Sequence, residues 1–140
     1  MPTIFEKIMA REIPAHIVYE DDKVIAFLDI IQTTKGHVLV ATKDPFKDMF
    51  DVPEDVLAHL FSVCGRLARA IKAAFSPLGL NVLSNNGEAA GQKVFHFHLH
   101  LVPRYEGDDV SITHKNHVHE TSQSDYQKRT DAIIRALDRV

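Results

Sequence analysis

Three histidines occupy alternate positions of the apolar run Val94–Pro103, at His96, His98 and His100. Strict alternation of this kind is typical of a half-buried strand, on which residues i, i+2 and i+4 share a face. We therefore expect all three imidazoles to project from one face, while the large apolar residues between them anchor the other face in a core. Imidazole is both a nucleophile and a proton carrier near neutral pH, so the row is a candidate catalytic site.

A metal site is the main alternative for this histidine row. At about 3.3 Å per residue, the Cα atoms of His96 and His100 lie roughly 13 Å apart, whereas the ligand nitrogens of a zinc ion lie about 2 Å from it. One ion could take two neighbouring rings, but hardly all three, and it would need a carboxylate or cysteine from elsewhere. We therefore predict no metal and no cofactor.

A middle histidine that acts as a nucleophile needs one unprotonated nitrogen facing the substrate and a proton held on the other. Its neighbours can donate hydrogen bonds to the group under attack. A phosphorus centre suits this arrangement, because phosphate oxygens take several donors and a phospho-histidine can be hydrolysed. Asp29 follows the apolar segment Val24–Leu28. A carboxylate at a strand end can accept two hydrogen bonds from a ribose diol, although an ordinary turn residue would look the same.

Composition and charge are those of a single globular domain. The chain has 140 residues, of which 45% are hydrophobic and 25% are charged, as is ordinary for soluble proteins. The net charge of −3 provides no basic field for nucleic acid, and no apolar stretch approaches the roughly 20 residues of a membrane span. With the single cysteine Cys64 and no signal-peptide pattern, we expect a cytoplasmic protein without an intrachain disulfide.

Short apolar segments separated by turn residues predict a sheet that would carry the histidines. The predicted strands cover residues 15–20, 24–28, 37–42, 80–84 and 94–103. The first three follow one another with short links, so antiparallel pairing is expected. The loop 85–92 lies beside the start of the histidine row, and Gly91 in it would let the backbone approach a ligand closely.

One long helix and a short one complete the predicted core. Apolar residues recur at steps of three and four from Val56 to Phe75, which makes an amphipathic stripe. Pro53 suits the first helical position, and Pro77 and Gly79 end the pattern. The shorter helical segment is predicted over residues 5–10.

The chain after Tyr105 is predicted to extend the same domain. Its polar segment carries His114, His117 and His119 without apolar alternation, which is typical of a solvated loop. Residues 124–137 have a helical pattern with an apolar face that could pack on the domain or on a partner subunit. We therefore expect one domain over residues 1–140, with a core of about residues 3–105 and a C-terminal extension.

On these residues the chain resembles the histidine triad (HIT) family, especially its bacterial members and the Hint-type nucleoside phosphoramidases. The segment His96–Val102 matches the family signature in full, and the resemblance also includes Ala26–Ile30, Gly36–Val40 and Asn85–Gln92. It implies an α+β, HIT-like fold, with an antiparallel sheet of about five strands, one long helix and one or more short helices. It also implies a homodimer joined through the long helix and the sheet edge.

The resemblance further implies a nucleotide hydrolase or nucleotidyl transferase that cleaves a phosphoramidate or a dinucleoside polyphosphate. His98 would attack the α-phosphorus of a purine nucleotide and carry the nucleotidyl group, and His100 would hydrogen-bond a phosphate oxygen. His96 would support the row together with His37, and Asp29 would bind the ribose hydroxyls. The other implied contacts are Phe27 and Ile30 near the base, and Asn85, Gly91 and Gln92 on the phosphate and leaving-group side.

Two places depart from the family pattern. Many bacterial relatives have a Cys-x-x-Cys near the N-terminus that binds a structural zinc with two histidines. Here those positions are Thr3 and Glu6, so no such zinc is expected. Relatives usually have Ser or Thr two residues after the loop glycine, where this chain has Lys93. A cation there would favour an anionic leaving group, such as a phosphate, over a neutral amine.

Two other functions remain open at this point. The first is a nucleotide-binding sensor or interaction protein with little turnover. Lys93 favours it, whereas the intact triad argues against it, because binding alone does not need His98. The second is a metal-dependent enzyme, which predicts bound metal in the purified protein and loss of activity with a chelator.

Overall fold

A five-stranded antiparallel sheet forms the centre of residues 1–110, the first of two units into which the chain divides. The computed structural model describes residues 1–140. The strands are β1 Ile17–Glu20, β2 Val24–Leu28, β3 Val38–Thr42, β4 Gly79–Leu83 and β5 His98–Arg104. Their order across the sheet is β1-β2-β3-β5-β4, and every pair is antiparallel. The predicted α+β class with a five-stranded antiparallel sheet is therefore confirmed.

Two helices pack on opposite faces of this sheet. They are α1 Ile4–Met9 and α2 Glu54–Phe75. Leu60, Val63 and Ile71 of α2 are buried with one set of alternate strand residues. Phe5 and Ile8 of α1 are buried with the other set. Because α1 has only six residues, it covers part of its face and leaves room beside it for a cavity.

The long helix α2 has the extent that its apolar stripe predicts, with a different start. Pro53 is the N-cap and not the first helical residue. Glu54 and Asp55 lie in the first turn, where carboxylates suit the positive end of the helix dipole. The helix ends after Phe75 because Ser76 adopts the left-handed conformation, with φ 51°.

The loop before β3 is packed against the end of α2. Gly36 has φ +93°, and a Cβ at this position would lie 2.8 Å from the ring of Phe75, so only glycine fits. The buried hydroxyl of Thr34 donates to the carbonyl oxygen of Pro103 at 2.6 Å. These contacts fix the loop that leads into β3 relative to β5.

The histidine strand begins later than its alternating pattern predicts. β5 starts at His98, and Val94–Phe97 form an irregular segment before it. The regular ladder stops there because the carbonyl oxygen of Thr42, at the end of β3, accepts from Nε2 of His96 at 2.7 Å. The amide of Phe97 donates instead to the carbonyl oxygen of Phe46, also at 2.7 Å. The prediction that His96 lies within the strand is therefore wrong, since this residue precedes β5 and is fully buried. Its ring nevertheless lies on the same face as that of His98, because both rings contact Phe5 of α1.

A group of polar side chains fastens the turn between β1 and β2 to α2. The Asp21 carboxylate accepts from the backbone amides of Lys23 and Val24, both at 2.8 Å. It also accepts from the Tyr19 hydroxyl at 2.6 Å and lies 2.7 Å from Nε2 of His59 on α2. Burial alone would raise the pKa of Asp21, but these hydrogen bonds hold it well below its usual range.

The second unit, residues 111–140, contains a third helix, α3 Gln123–Leu137, where the sequence predicted one over residues 124–137. Ser122 and Asp125 form a reciprocal capping box at its start. Before it the chain is irregular except for a 3-10 turn at Val118–Glu120. No helix anywhere in the protein has the length and apolarity that a membrane crossing needs.

We expect Asp21→Ala to lower the free energy of unfolding by about 1–3 kcal/mol, because it leaves several donors without their acceptor. A carboxylate whose pKa is lowered by folding stabilises the protein above its unfolded pKa of about 3.9. That contribution is lost as the pH falls through the folded pKa. The difference between wild type and variant in urea unfolding should therefore shrink below about pH 4.

The matched control is Asp22→Ala, which removes the neighbouring exposed carboxylate and should leave the free energy of unfolding nearly unchanged. Equal losses in the two variants near neutral pH would contradict the role assigned to Asp21.

Candidate active site

His98 and His100 open into a large cavity on the face of the sheet that carries α1. In the ladder between β3 and β5, His98 lies opposite Ala41 and His100 lies opposite Leu39. Two residues apart on one strand, the two imidazoles share a face. The cavity that they line has a volume of about 950 Å³, which is in the range of small-molecule sites.

Most of the residues predicted from the sequence for the site line this cavity. Nine of the eleven line it: Phe27, Asp29, Ile30, Asn85, Gly91, Gln92, Lys93, His98 and His100. The other two, His37 and His96, are buried, with 4% and 0% of their surface exposed. These two histidines can act on a ligand only through their neighbours.

One wall of the cavity was not predicted. Ile4, Phe5 and Ile8 of α1 line it, followed by the segment Ile13–His16. The only signal in the sequence was a short helical segment with apolar residues, and a single turn of this kind does not indicate which face of the sheet it covers. The wall makes this part of the cavity largely apolar.

The backbone determines which nitrogen of His98 carries the proton. Its Nδ1 lies 2.7 Å from the carbonyl oxygen of His96, and because a carbonyl oxygen only accepts, Nδ1 must donate. This leaves Nε2 with a free lone pair in a ring that lines the cavity. Burial lowers the pKa of His98, although the hydrogen bond to His96 opposes the effect. The neutral ring therefore has the proton arrangement of a nucleophile.

His96 is held at both ring nitrogens inside the core. Its Nε2 lies 2.7 Å from the carbonyl oxygen of Thr42 and must donate to it. Its Nδ1 lies 2.9 Å from the hydroxyl oxygen of Thr3. The Phe5 ring makes T-shaped contacts with the rings of His96 and His98, at centroid distances of 5.5 and 4.9 Å. Burial lowers the pKa of His96, so this ring is a neutral support.

His100 belongs to a chain of polar groups behind the cavity. Its Nδ1 lies 3.0 Å from Nε2 of His37, which lies 3.5 Å from Oδ2 of Asp29. Nδ1 of His37 lies 3.1 Å from the carbonyl oxygen of Ile31. Burial and the neighbouring His98 and His37 lower the pKa of His100 to about 4. Because the carbonyl oxygen of Ile31 only accepts, Nδ1 of a neutral His37 donates to it and Nε2 of His37 accepts from Nδ1 of His100. Nε2 of a neutral His100 is then an acceptor toward a ligand, and protonation of His100 would make it a donor.

The loop after β2 holds Asp29 at the cavity wall. The amide of Ile31 donates to Oδ1 of Asp29 at 2.9 Å. The side chain of Gln32 donates to the carbonyl oxygens of Asp29 and His37, at 2.6 and 2.9 Å, and accepts from the amide of Gly36 at 2.9 Å. Gln32 is a positioning residue that the sequence did not indicate, and it leaves Oδ2 of Asp29 for a ligand.

Gln92 organises the loop on the other side of the histidines. Its Oε1 accepts from the amide of Gly87 and its Nε2 donates to the carbonyl oxygen of Lys47, both at 2.7 Å. The Gln92 amide group is therefore used within the protein and contributes the shape of the wall. Asn85 lies beside Gly91, where an added Cβ would come within 3.8 Å of the Asn85 side chain.

One set of side chains has the composition of a metal site. The ligand atoms of Asp29, His37 and His100 all lie within 4.8 Å of one another, and imidazole and carboxylate are zinc ligands. Thr3 and Glu6, in contrast, do not fit the structural zinc of bacterial relatives. They supply no thiolate, and each side chain accepts from the backbone amide of the other in the capping box of α1, at 3.2 and 2.9 Å.

The chain is similar in sequence and in fold to known proteins of one family. The HIT domain matches residues 10–107. The chain is 44% identical over 135 residues to Protein hit of Bacillus subtilis, a match that covers 96% of this chain and 93% of that protein. A solved HIT family protein of Bacillus anthracis has a TM-score of 0.91 at 47% identity and covers 96% of each chain. A solved Zn-bound histidine triad family protein of Mycobacterium smegmatis has a TM-score of 0.75 at 39% identity, over 82% of this chain and 84% of that chain.

Proposed function

The chain belongs to the HIT domain family, and we propose that it is a nucleotide hydrolase or nucleotidyl transferase for a purine nucleotide. Proteins of this family bind nucleotides and are commonly nucleotide hydrolases. The observation that supports the proposal is the 2.7 Å hydrogen bond from Nδ1 of His98 to the carbonyl oxygen of His96. It leaves Nε2 free as a nucleophile within a cavity large enough for a nucleotide.

In the proposed reaction, Nε2 of His98 attacks the α-phosphorus, so that an N–P bond forms and the bond to the leaving group breaks. A phosphate leaving group departs as the anion, whereas an amine takes up a proton from solvent as it departs. The proton on Nδ1 stays shared with the carbonyl oxygen of His96, which stabilises the positive ring of the intermediate. The bound phosphate and the Asp29 carboxylate favour the protonated ring of His100, which donates from Nε2 to a phosphate oxygen and from Nδ1 to Nε2 of His37. Water then attacks phosphorus, releases a proton to solvent, and frees the nucleoside monophosphate and His98.

The shape and polarity of the cavity support a nucleoside in its apolar part. Ile30 and Ile31 line the cavity but are 97% and 74% exposed. Exposed apolar groups beside a cavity often mark a ligand contact, and a purine base between them and Phe27 would cover them. Oδ2 of Asp29 would accept from the ribose hydroxyls. The leaving group would lie toward Asn85.

We assign the activity to one HIT domain over residues 1–140, with the site in a core of about residues 3–105. The HIT domain match ends at residue 107. His114, His117 and His119 lie beyond that match, and we give the C-terminal extension no part in the chemistry.

The first test is hydrolysis of adenosine 5′-phosphoramidate and of diadenosine tetraphosphate, each with a chelator present. We expect turnover by the wild type and a loss of about a thousandfold or more in kcat for His98→Ala, because the variant cannot form the N–P bond. His114→Ala, which removes a histidine beyond the HIT domain match, serves as the matched control and should keep full activity.

The outcomes of this test separate the competing functions. No turnover of either substrate, together with measurable binding of adenosine monophosphate, would contradict the hydrolase and favour a nucleotide-binding protein. Loss of activity with the chelator would indicate a metal-dependent enzyme, with Asp29, His37 and His100 as the candidate metal ligands.

Lys93 supports a preference for an anionic leaving group, because its side chain lines the cavity. We expect Lys93→Ser to lower kcat/KM for diadenosine tetraphosphate roughly fivefold, as the loss of one exposed charge contact predicts, and to lower it less for the phosphoramidate. The effect should weaken as salt is added. Lys47→Ser is the control, since the Lys47 ammonium lies 5.7 Å from the centre of the Phe95 ring and not in the cavity. A parallel loss for both substrates would contradict selection by charge.

We also propose a homodimer formed through α2 and the edge strand β4. β4 is paired on one side only, and unpaired strand edges are ready templates for another strand. Large exposed apolar residues lie along α2 and beside this edge, namely Phe61, Phe75, Leu78 and Val82. An apolar patch next to an open edge supports pairing with the same patch of a second copy.

A charge at this edge should separate the two copies. We expect Val82→Lys to reduce the mass measured by light scattering from that of two chains to that of one. Val18→Lys, on the opposite edge strand β1, is a close control because Val18 and Val82 are 48% and 49% exposed. The proposed interface would be wrong if only Val18→Lys changed the mass.

A further inference from the structure

Thr3 joins the start of α1 to the buried His96. Its hydroxyl oxygen accepts from the amide of Glu6 at 3.2 Å, as the N-cap of the helix, and lies 2.9 Å from Nδ1 of His96. This second contact spans 93 residues of the chain. An N-cap serves its own helix through the first contact alone, so the contact to His96 needs another explanation.

The direction of each hydrogen bond follows from the partners. The carbonyl oxygen of Thr42 only accepts, so Nε2 of His96 carries the proton and Nδ1 of the neutral ring is an acceptor. The Thr3 hydroxyl must then donate to Nδ1 while it accepts from the amide of Glu6. Every donor therefore meets an acceptor in a single arrangement, and the ring of His96 has one orientation.

We propose that Thr3 is a positioning residue for His98, acting through His96. The hydroxyl fixes the His96 ring, and the fixed residue presents its carbonyl oxygen 2.7 Å from Nδ1 of His98. Phe5, two residues after Thr3, makes T-shaped contacts with both histidine rings. The N-terminal turn of α1 thus holds the nucleophile in its reactive tautomer.

Removal of the hydroxyl would leave a buried acceptor without a partner. His96 is 0% exposed, so water could not replace the lost donor without a change in packing, and a buried unpaired acceptor is costly. The ring would turn or shift to satisfy Nδ1, and the His96 carbonyl would move with it. The proton of His98 could then move to Nε2, where it blocks attack on phosphorus.

The kinetic part of this inference rests on the proposed function, whereas the tautomer of His98 does not. We would therefore measure both, using Thr3→Val, which keeps the shape of the side chain but lacks the hydroxyl, and Thr3→Ser, which keeps the hydroxyl. Imidazole nitrogen shifts from NMR report the tautomer of His98 with no substrate present. Steady-state kinetics with adenosine 5′-phosphoramidate report kcat and KM.

We expect Thr3→Val to lower kcat roughly tenfold, the equivalent of one hydrogen bond, with KM nearly unchanged. His98 should shift from the Nδ1–H tautomer toward Nε2–H. Thr3→Ser should restore both kcat and the tautomer. If Thr3→Val fails to fold, the wild type remains informative, because its spectrum must show His96 protonated only on Nε2 and His98 only on Nδ1.

Two controls separate positioning from helix capping. Glu6→Ala removes the other half of the same capping box but leaves the Thr3 hydroxyl beside His96, so it should lower thermal stability and leave kcat within about twofold. Ser122→Ala breaks the similar capping box of α3, whose serine hydroxyl has no histidine partner. It should likewise leave kcat within about twofold of the wild type.

The two proposals fail in different ways. The inference about Thr3 is overturned if Thr3→Val leaves the His98 tautomer unchanged, or if Glu6→Ala reduces kcat as much as Thr3→Val does. If the wild type turns over no substrate but Thr3→Val still shifts the His98 tautomer, the proposed function is contradicted and the positioning role is supported.

Discussion

The hydrogen bond between Nδ1 of His98 and the carbonyl oxygen of His96 is the contact on which the site depends. In a regular ladder such a carbonyl would accept an amide of the neighbouring strand. Here β5 begins only at His98, and the irregular segment before it leaves the oxygen to a side chain. The end of the sheet ladder is therefore what gives the middle imidazole a defined tautomer, and α1 and β3 hold the residue that supplies the oxygen.

Burial is the second constraint, because the histidines lie close together. The rings of His98 and His100 are 5.1 Å apart, and those of His37 and His100 are 5.2 Å apart. Two protonated rings at such distances would repel each other strongly in a poorly solvated site. Burial lowers the pKa of His98 and of His100, while the charge of Asp29 acts in the opposite direction on both. His98 and His100 are therefore neutral near pH 7 in the free protein, and Nε2 of each ring has a lone pair available for chemistry.

The sequence predicted best the features that depend on local geometry. His98 and His100 share a face because side chains alternate along any strand, and α2 formed where an apolar stripe recurred at helical spacing. The predicted strand start before His96 was wrong, because the Thr42 carbonyl accepts from the His96 ring and the Phe97 amide donates to Phe46. The alternating pattern contains no information about these contacts. The contact between Thr3 and His96 could not be predicted, because a six-residue helix has too short a pattern to indicate a partner 93 residues away.

The two edges of the sheet differ in a way that limits how many chains can join. β1 has only four residues and an irregular register at Ile17 and Tyr19, and its last residue, Glu20, is held in ion pairs with Arg11 and Lys43. Short, bulged and charged edges resist further pairing. β4 is regular and borders an apolar surface. When only one edge strand can pair with another chain, two copies can pair through that edge as a two-fold dimer. Further copies have no edge to pair with, which disfavours growth into fibres.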